Sequence, residues 1–280
     1  MAKGMAYNAS PLTTKARTII NVVDKDIHRR KRRIIAPILS EHSMRAFECS
    51  MLQRVAELMQ QLKSRSSQIG IIAVTNMSDL CKRLALDVAS DIAFGYGLNT
   101  LRDDNNRYFF GVFDNWTWRI SMQMQFPILK AIGRWFFTIH QVKNELTLRD
   151  TVKKIVKKRM DKGHNAFHDL YSLTASQYGL DQQFFHSDLW SKASTLLLAG
   201  GGTTAVALSS TVFYLSRYPD CYAKLTEEIR STFSSVCEIK AGPRLSGCKY
   251  LRACIDEALR YNPPVLTPIW RQQDSRDMSG

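Results

Sequence analysis

Gly200, Gly201 and Gly202, followed by Thr203 and Thr204, interrupt an apolar run that begins at Leu196. In a helix interior each glycine costs about 0.8–1.0 kcal/mol relative to alanine. A chain that carries this cost gains either a close approach of another group to the backbone or a place for the helix to open. The threonine hydroxyls can hydrogen-bond a ligand there, or turn back onto carbonyls of their own helix. Glu257 and Arg260 lie three positions apart, as neighbours on one helix surface; such a pair is worth about 0.2–0.5 kcal/mol. The run His28-Arg29-Arg30-Lys31-Arg32-Arg33 reads as a solvated face or a nuclear-localisation type patch. Because Ile34 and Ile35 follow directly, it also reads as a docked helix whose cations hold a buried anion. His164 and His168 have a spacing that can bind zinc. Their polar surroundings, with no Glu after the first His, read as a surface pair. No nucleophile elbow or phosphate-binding loop is present.

The elements that position these groups follow from periodicity. A helical pattern runs from Asp26 to Leu62, with Pro37 inside it or kinking it, and Ser40 and Ser43 offer start signals for a second helix. Leu80, Leu84, Val88 and Ile92 form the stripe of an amphipathic helix ending at Gly95, with Asp87 and Asp91 on another side. Aromatic residues crowd 107–140. A basic helix is expected over Leu146 to Met160 with Gly163 as its stop, and a shorter helix over 167–176. The long Leu189 to Arg217 helix carries the glycines. Pro219 opens the next helix, Tyr250 to Arg260 forms another, and Asn262-Pro263-Pro264 ends it. Thr267 to Gln272 is a candidate strand. The fold class is mainly α. Residues 1–25 are irregular, 26–272 form the helical domain, and 273–280 form a disordered tail. There is no βαβ alternation, which argues against a dinucleotide-binding fold.

Composition is that of a globular core, 45% hydrophobic and 23% charged. The net charge of +14 suggests an anionic partner. The six cysteines form no CxxC pair and read as reduced thiols facing the cytosol. The N-terminus reads as neither a signal peptide nor an anchor. The uncharged stretch Ala193 to Ser216 could span a bilayer by length, but its Gly, Ser and Thr content reads better as a buried core helix.

Order and spacing together resemble the cytochrome P-450 family of haem-thiolate monooxygenases, and most closely its fungal secondary-metabolism members. Ala199 to Thr204 is similar to the family's Ala/Gly-Gly-x-Asp/Glu-Thr-Thr helix, and Glu257-Ala258-Leu259-Arg260 to its Glu-x-x-Arg. Leu86 to Gly95 resembles its Asp-x-x-x-Asp-x-x-Phe-Gly helix, and His28 to Arg32 the helix that contacts a haem propionate. Pro263-Pro264-Val265 and Arg271 resemble the strand region that follows. The resemblance implies that His28, Arg32 and Arg271 serve the propionates, with Gly200 and Gly201 opening an oxygen groove. It assigns oxygen activation to Thr203 and Thr204, and a structural role to the Glu257–Arg260 pair. It implies a hydrophobic small-molecule substrate, an acidic reductase, and no nucleic acid.

Two departures shape the functional expectation. Gly202 replaces the family's acid, which removes a carboxylate that helps deliver protons. None of the six cysteines lies in the Phe-x-x-Gly-x-Arg-x-Cys-x-Gly haem loop, so no axial metal ligand is assigned. The expectation is therefore a partial fold truncated at both ends. It would be inactive, would not bind haem productively, and would be cytoplasmic or loosely held at the endoplasmic reticulum surface. Apolar faces within 189–260 would be left uncovered. The alternatives are a non-catalytic ligand-binding or interaction remnant, and a fragment of an active haem monooxygenase from an incomplete gene model.

Overall fold

The structure, a computed structural model, describes residues 2–3, 7, 18–37, 39–68, 75–95, 97–126, 139–163, 172, 182–265 and 271–272. Ten α-helices account for most of them: α1 Lys25–Ile35, α2 Glu41–Ala46, α3 Glu48–Gln68, α4 Met77–Phe94, α5 Tyr108–Gln125, α6 Ile139–Met160, α7 Gln182–Arg217, α8 Pro219–Thr232, α9 Pro243–Ser246 and α10 Lys249–Tyr261. Strand among the described residues is confined to β1 Ala2–Lys3 and β2 Arg271–Gln272. These pair antiparallel, with Ala2 opposite Gln272 and Lys3 opposite Arg271. The mainly helical class expected from periodicity is the class observed.

The two helices expected between Asp26 and Leu62, the first holding Pro37 and the second starting at Ser40, are three: α1, α2 and α3. Pro37 lies in the turn between α1 and α2, where it neither sits inside a helix nor kinks one. The reason is local chemistry. Proline lacks the N–H needed in a helix interior. Its carbonyl accepts the Ser40 and Ser43 hydroxyls at 2.7 and 2.9 Å. Ser40 then caps α2 by accepting Ser43 N–H. Other stops fall where the sequence puts them. Gly95 ends α4 in the left-handed conformation at φ 71°, Gly163 follows α6 at φ 84°, and Pro219 opens α8. The aromatic segment gives α5, a helix the sequence reading did not assign. Of the expected helix over 167–176 only Ser172 is described, in helical conformation; the histidines 164 and 168 lie outside the described residues, as do 266–270 and 273–280.

α4 is the organising element. Leu86, Ala89, Ala93 and Phe94 join Phe109 of α5, Val152, Ile155 and Val156 of α6, and Leu197 of α7 in one apolar core. Leu80 and Leu84 pack with Leu58 of α3 and Leu101 in a second. A helix flanked on opposite sides is apolar around most of its circumference rather than along one stripe. The stripe through Leu80, Leu84, Val88 and Ile92 is therefore half of its buried surface. Within 189–260, the outward face of α7 leaves Leu208, Val212 and Phe213 exposed, as the sequence led us to expect.

Candidate functional site around the glycine-threonine turn of α7

α7 runs unbroken through Gly200, Gly201 and Gly202, so the helix does not open there. Gly200 and Gly201 instead face α4. A methyl group at Gly200 would stand 3.5 Å from Ala89 Cβ, and one at Gly201 would stand 3.4 Å from Leu86 Cδ1 and 3.6 Å from Leu86 Cα. Both are ordinary contacts that alanine could make. The close approach read from the sequence is real, and the approaching group is the neighbouring helix.

Thr203 is half-buried, and its hydroxyl donates to the Ala199 carbonyl at 2.6 Å. Of the two roles open to it in the sequence, this is the bond back onto its own helix. Ser209 and Thr211 do the same, to Ala205 and Ala207 at 2.7 and 2.8 Å. Thr204 is exposed. These three hydroxyls thus satisfy themselves locally, which lets a polar sequence persist in a packed helix. Each still has lone pairs with which to accept a hydrogen bond.

Glu257 and Arg260 form a two-pronged pair on α10. Arg260 Nε donates to Glu257 Oε2 at 2.7 Å, and a terminal nitrogen donates to Oε1 at 2.8 Å. Both side chains are more than half exposed. The hydrogen bond from Arg260 holds the Glu257 carboxyl below its ordinary value. Arg260 also lies over the Tyr261 ring, 4.2 Å from its centroid. Tyr261 in turn meets Tyr214 of α7 at 5.6 Å, and Asn262 donates to Ser210 of α7 at 2.7 Å. The pair is therefore anchored beside the C-terminal half of α7, on the same helix as Thr203.

The basic run winds round α1, with Arg29, Arg30, Arg32 and Arg33 exposed and His28 and Lys31 half-buried. Asp24 caps this helix by accepting Asp26 and Ile27 N–H. Arg271 is in β2, where its backbone pairs with Lys3.

The best-formed polar cluster is one the sequence reading passed over. Asp87, fully buried in α4, accepts Thr100 N–H and the Thr100 hydroxyl at 2.8 and 3.0 Å, and Leu101 N–H at 3.0 Å. Burial pushes its carboxyl above the ordinary value, and these three bonds pull it part of the way back. One turn on, Asp91 accepts Arg54 from α3 and the Ser50 hydroxyl. Arg54 also donates to Glu57 and Asn99, and Arg102 closes the network on Glu57 at 2.7 Å. Asn99 adopts φ 55°, the left-handed region, which asparagine tolerates better than most residues. The signal in the sequence was two aspartates four apart within the otherwise uncharged stretch Leu84 to Phe94 of this helix. Paired carboxylates there imply buried partners rather than a solvent-facing side.

The six cysteines are placed as follows. Cys49 and Cys237 are exposed, Cys81 and Cys248 buried, and Cys221 and Cys254 intermediate. Cys81 lies against Ser209; burial pushes its thiol up, partly offset by that hydrogen bond. Ser209 is about 9 Å beyond Thr203 along α7, at 1.5 Å per residue. Cys248 contacts Thr232 and the Arg244 carbonyl, and burial pushes the Cys254 thiol of α10 up.

With this arrangement in view, known proteins can be compared. The profile of the cytochrome P450 family matches residues 5–278. The chain is 32% identical over 98% of its length to the cytochrome P450 monooxygenase poxM of Penicillium oxalicum, and covers 54% of that protein. It is 29% identical over 96% of its length to the monooxygenase AKT7 of Alternaria alternata, covering 52%. It is 28% identical over 97% of its length to a cytochrome P450 monooxygenase of Gibberella zeae, covering 66%. The chain thus spans about half the length of the first two of these relatives. A match running through almost every residue means that this chain belongs to the cytochrome P450 family.

Proposed function

We propose that residues 1–280 are the helical part of a fungal haem monooxygenase acting on a hydrophobic secondary metabolite, and that these residues alone do not carry out the oxygen chemistry. The observation that carries this reading is the state of the Ala199–Thr204 turn. The Thr203 hydroxyl is committed to the Ala199 carbonyl, and Gly202 offers no carboxylate to pass protons to it. The cysteines agree with it. Cys81 is committed to the α4–α7 seam, and the others lie on α3, on α8, on α10, or in the chain between α8 and α10. The residues present therefore do not fit haem as a thiolate-ligated group, and no step is derived through it. When bound in relatives, haem supplies the iron at which oxygen is activated.

The remaining assignments rest on family membership and apply to the haem-bound monooxygenase of the relatives' full length, not to residues 1–280 alone. His28, Arg32 and Arg271 are proposed as propionate-side cations. Gly200 and Gly201 are proposed to form the groove wall, Thr203 and Thr204 to assist oxygen activation, and Glu257 with Arg260 to act as a structural brace. An acidic reductase is the proposed electron donor, and the endoplasmic reticulum surface the proposed location. Among the described residues one segment, Thr195–Arg217, is long and apolar enough to cross a membrane; only 28% of it is buried, and a core role rests on its seam with α4 through Leu197.

The test is to express residues 1–280 with haem supplied and record the reduced carbon-monoxide difference spectrum. The expected result is no thiolate-type band. A strong thiolate-type band would overturn the proposal.

A further inference from the structure

α3 carries much of its polarity on the inside. A surface helix ordinarily turns its apolar stripe to the core and its polar side to water. Here Ser50, Arg54, Glu57 and Gln61, at steps of four, three and four residues, point inward beside the buried Leu58. Ser50 and Arg54 bond Asp91 of α4, Glu57 accepts Arg54 and Arg102, and Gln61 donates to the Leu101 carbonyl. On the other side of the helix Leu52, Val55 and Met59 are 37, 43 and 48% exposed. Cys49 and Ala56 are exposed with them.

The outward stripe has a regular spacing. Cys49, Leu52, Ala56, Met59 and Lys63 follow at steps of three, four, three and four residues. That is the seam by which one helix pairs with another. The flanking positions, Gln53, Val55, Gln60 and Leu62, carry no charge. The charges stand at the two ends. Near the start is Glu48, whose Oε1 accepts Ala241 N–H and whose Oε2 is left for a second partner. Near the end is the exposed Lys63.

This pattern complements itself when it is reversed. About a two-fold axis between Val55 and Ala56, Leu52 of one copy falls opposite Met59 of the other, and Glu48 opposite Lys63. Each contact then occurs twice, as a two-fold interface requires. A parallel copy would set Glu48 against Glu48 and Lys63 against Lys63.

We propose that the outward face of α3 is a self-association surface, on which two copies of this chain pair through antiparallel α3 helices. Residues 48–63 cover about 24 Å of helix at 1.5 Å per residue, on a helix about 10 Å wide. That is well below the roughly 800 Å² per partner of a standard interface. The dimer is therefore weak and exchanges with monomer. It involves neither the Ala199–Thr204 turn nor haem, so it stands apart from the proposed function.

The test is sedimentation of the full chain over a dilution series. The expected result is a monomer that converts to a dimer as concentration rises. Leu52→Lys and Met59→Lys change exposed positions, so they are expected to lose the dimer with the helical circular dichroism unchanged. Lys63→Glu sets acid against acid and is expected to lose it too, and adding Glu48→Lys to that variant is expected to restore it. A chain that stays monomeric throughout the series would overturn the proposal. So would an oligomer that persists in Met59→Lys, or a charge exchange that restores nothing. A monomer that instead binds vesicles of anionic lipid, and loses that binding in Leu52→Lys and Met59→Lys, would give the face to a membrane and overturn it as well.

Discussion

Arg54 of α3 grips Asp91 of α4 with two hydrogen bonds, Nε to Oδ2 at 2.8 Å and a terminal nitrogen to Oδ1 at 3.1 Å. The side chains are 12% and 8% exposed. These bonds hold the Arg54 guanidinium charged well above its ordinary value, against the cost of burial. The pair ties α3 to the helix around which the rest of the molecule packs. Removing one partner leaves a buried charge without its counterpart, which costs about 3–5 kcal/mol. Asp91→Ala and Arg54→Ala are each expected to lose that much in urea denaturation. The double replacement Arg54→Met with Asp91→Leu is expected to recover most of it. A loss below about 1 kcal/mol for both single variants would contradict a buried pair.

Gly97 is the floor of this grip. A methyl group there would lie 2.0 Å from an Arg54 terminal nitrogen and 3.0 Å from Asp91 Oδ1. Gly97→Ala must push the guanidinium away, so it should destabilise the wild-type chain by about 1–3 kcal/mol, the range for overpacking. In an Arg54→Ala background it should cost far less. A double-mutant cycle reads the coupling directly, and additive effects would refute it.

Asp87 sets a pH dependence whose sign can be worked out. Its folded-state value lies above the ordinary 3.8 because burial outweighs three hydrogen bonds. The folded state therefore binds this proton more tightly than the unfolded chain. The associated stability is full below about 3.8 and is lost as pH rises through the folded-state value. Asp87→Asn cannot ionise. The urea midpoint of the wild type, relative to this variant, should fall as pH is raised from acid towards neutral. A rise over that window would show the carboxylate to be the favoured form.

The glycines of α7 supply a contrasting case. Ordinary contact distances at Gly200 and Gly201 leave room for a methyl group beside Ala89 and Leu86. Gly201→Ala is expected to stabilise the chain by about 0.8–1.0 kcal/mol from helix propensity alone. Gly201→Val, which drives a branched side chain at Leu86, is expected to destabilise it. Loss of stability in Gly201→Ala would mean that packing against α4 itself requires glycine.

The helices could be read from the sequence because their signals are local. Ser40, Gly95, Gly163 and Pro219 act within a few residues of themselves, and they mark helix ends where the structure has them. The order of the glycine-threonine turn and the Glu257–Arg260 pair was equally plain, since it needs only counting. Tertiary structure decided what each group faces. Periodicity showed α4 as a one-sided helix with Asp87 and Asp91 on another side. Two flanking layers made that side interior, and the backbone at Thr100 and Leu101, with Arg54 from another helix, made the burial affordable. The partners of a buried carboxylate are gathered by packing from distant stretches of chain, and no spacing rule within one helix can name them.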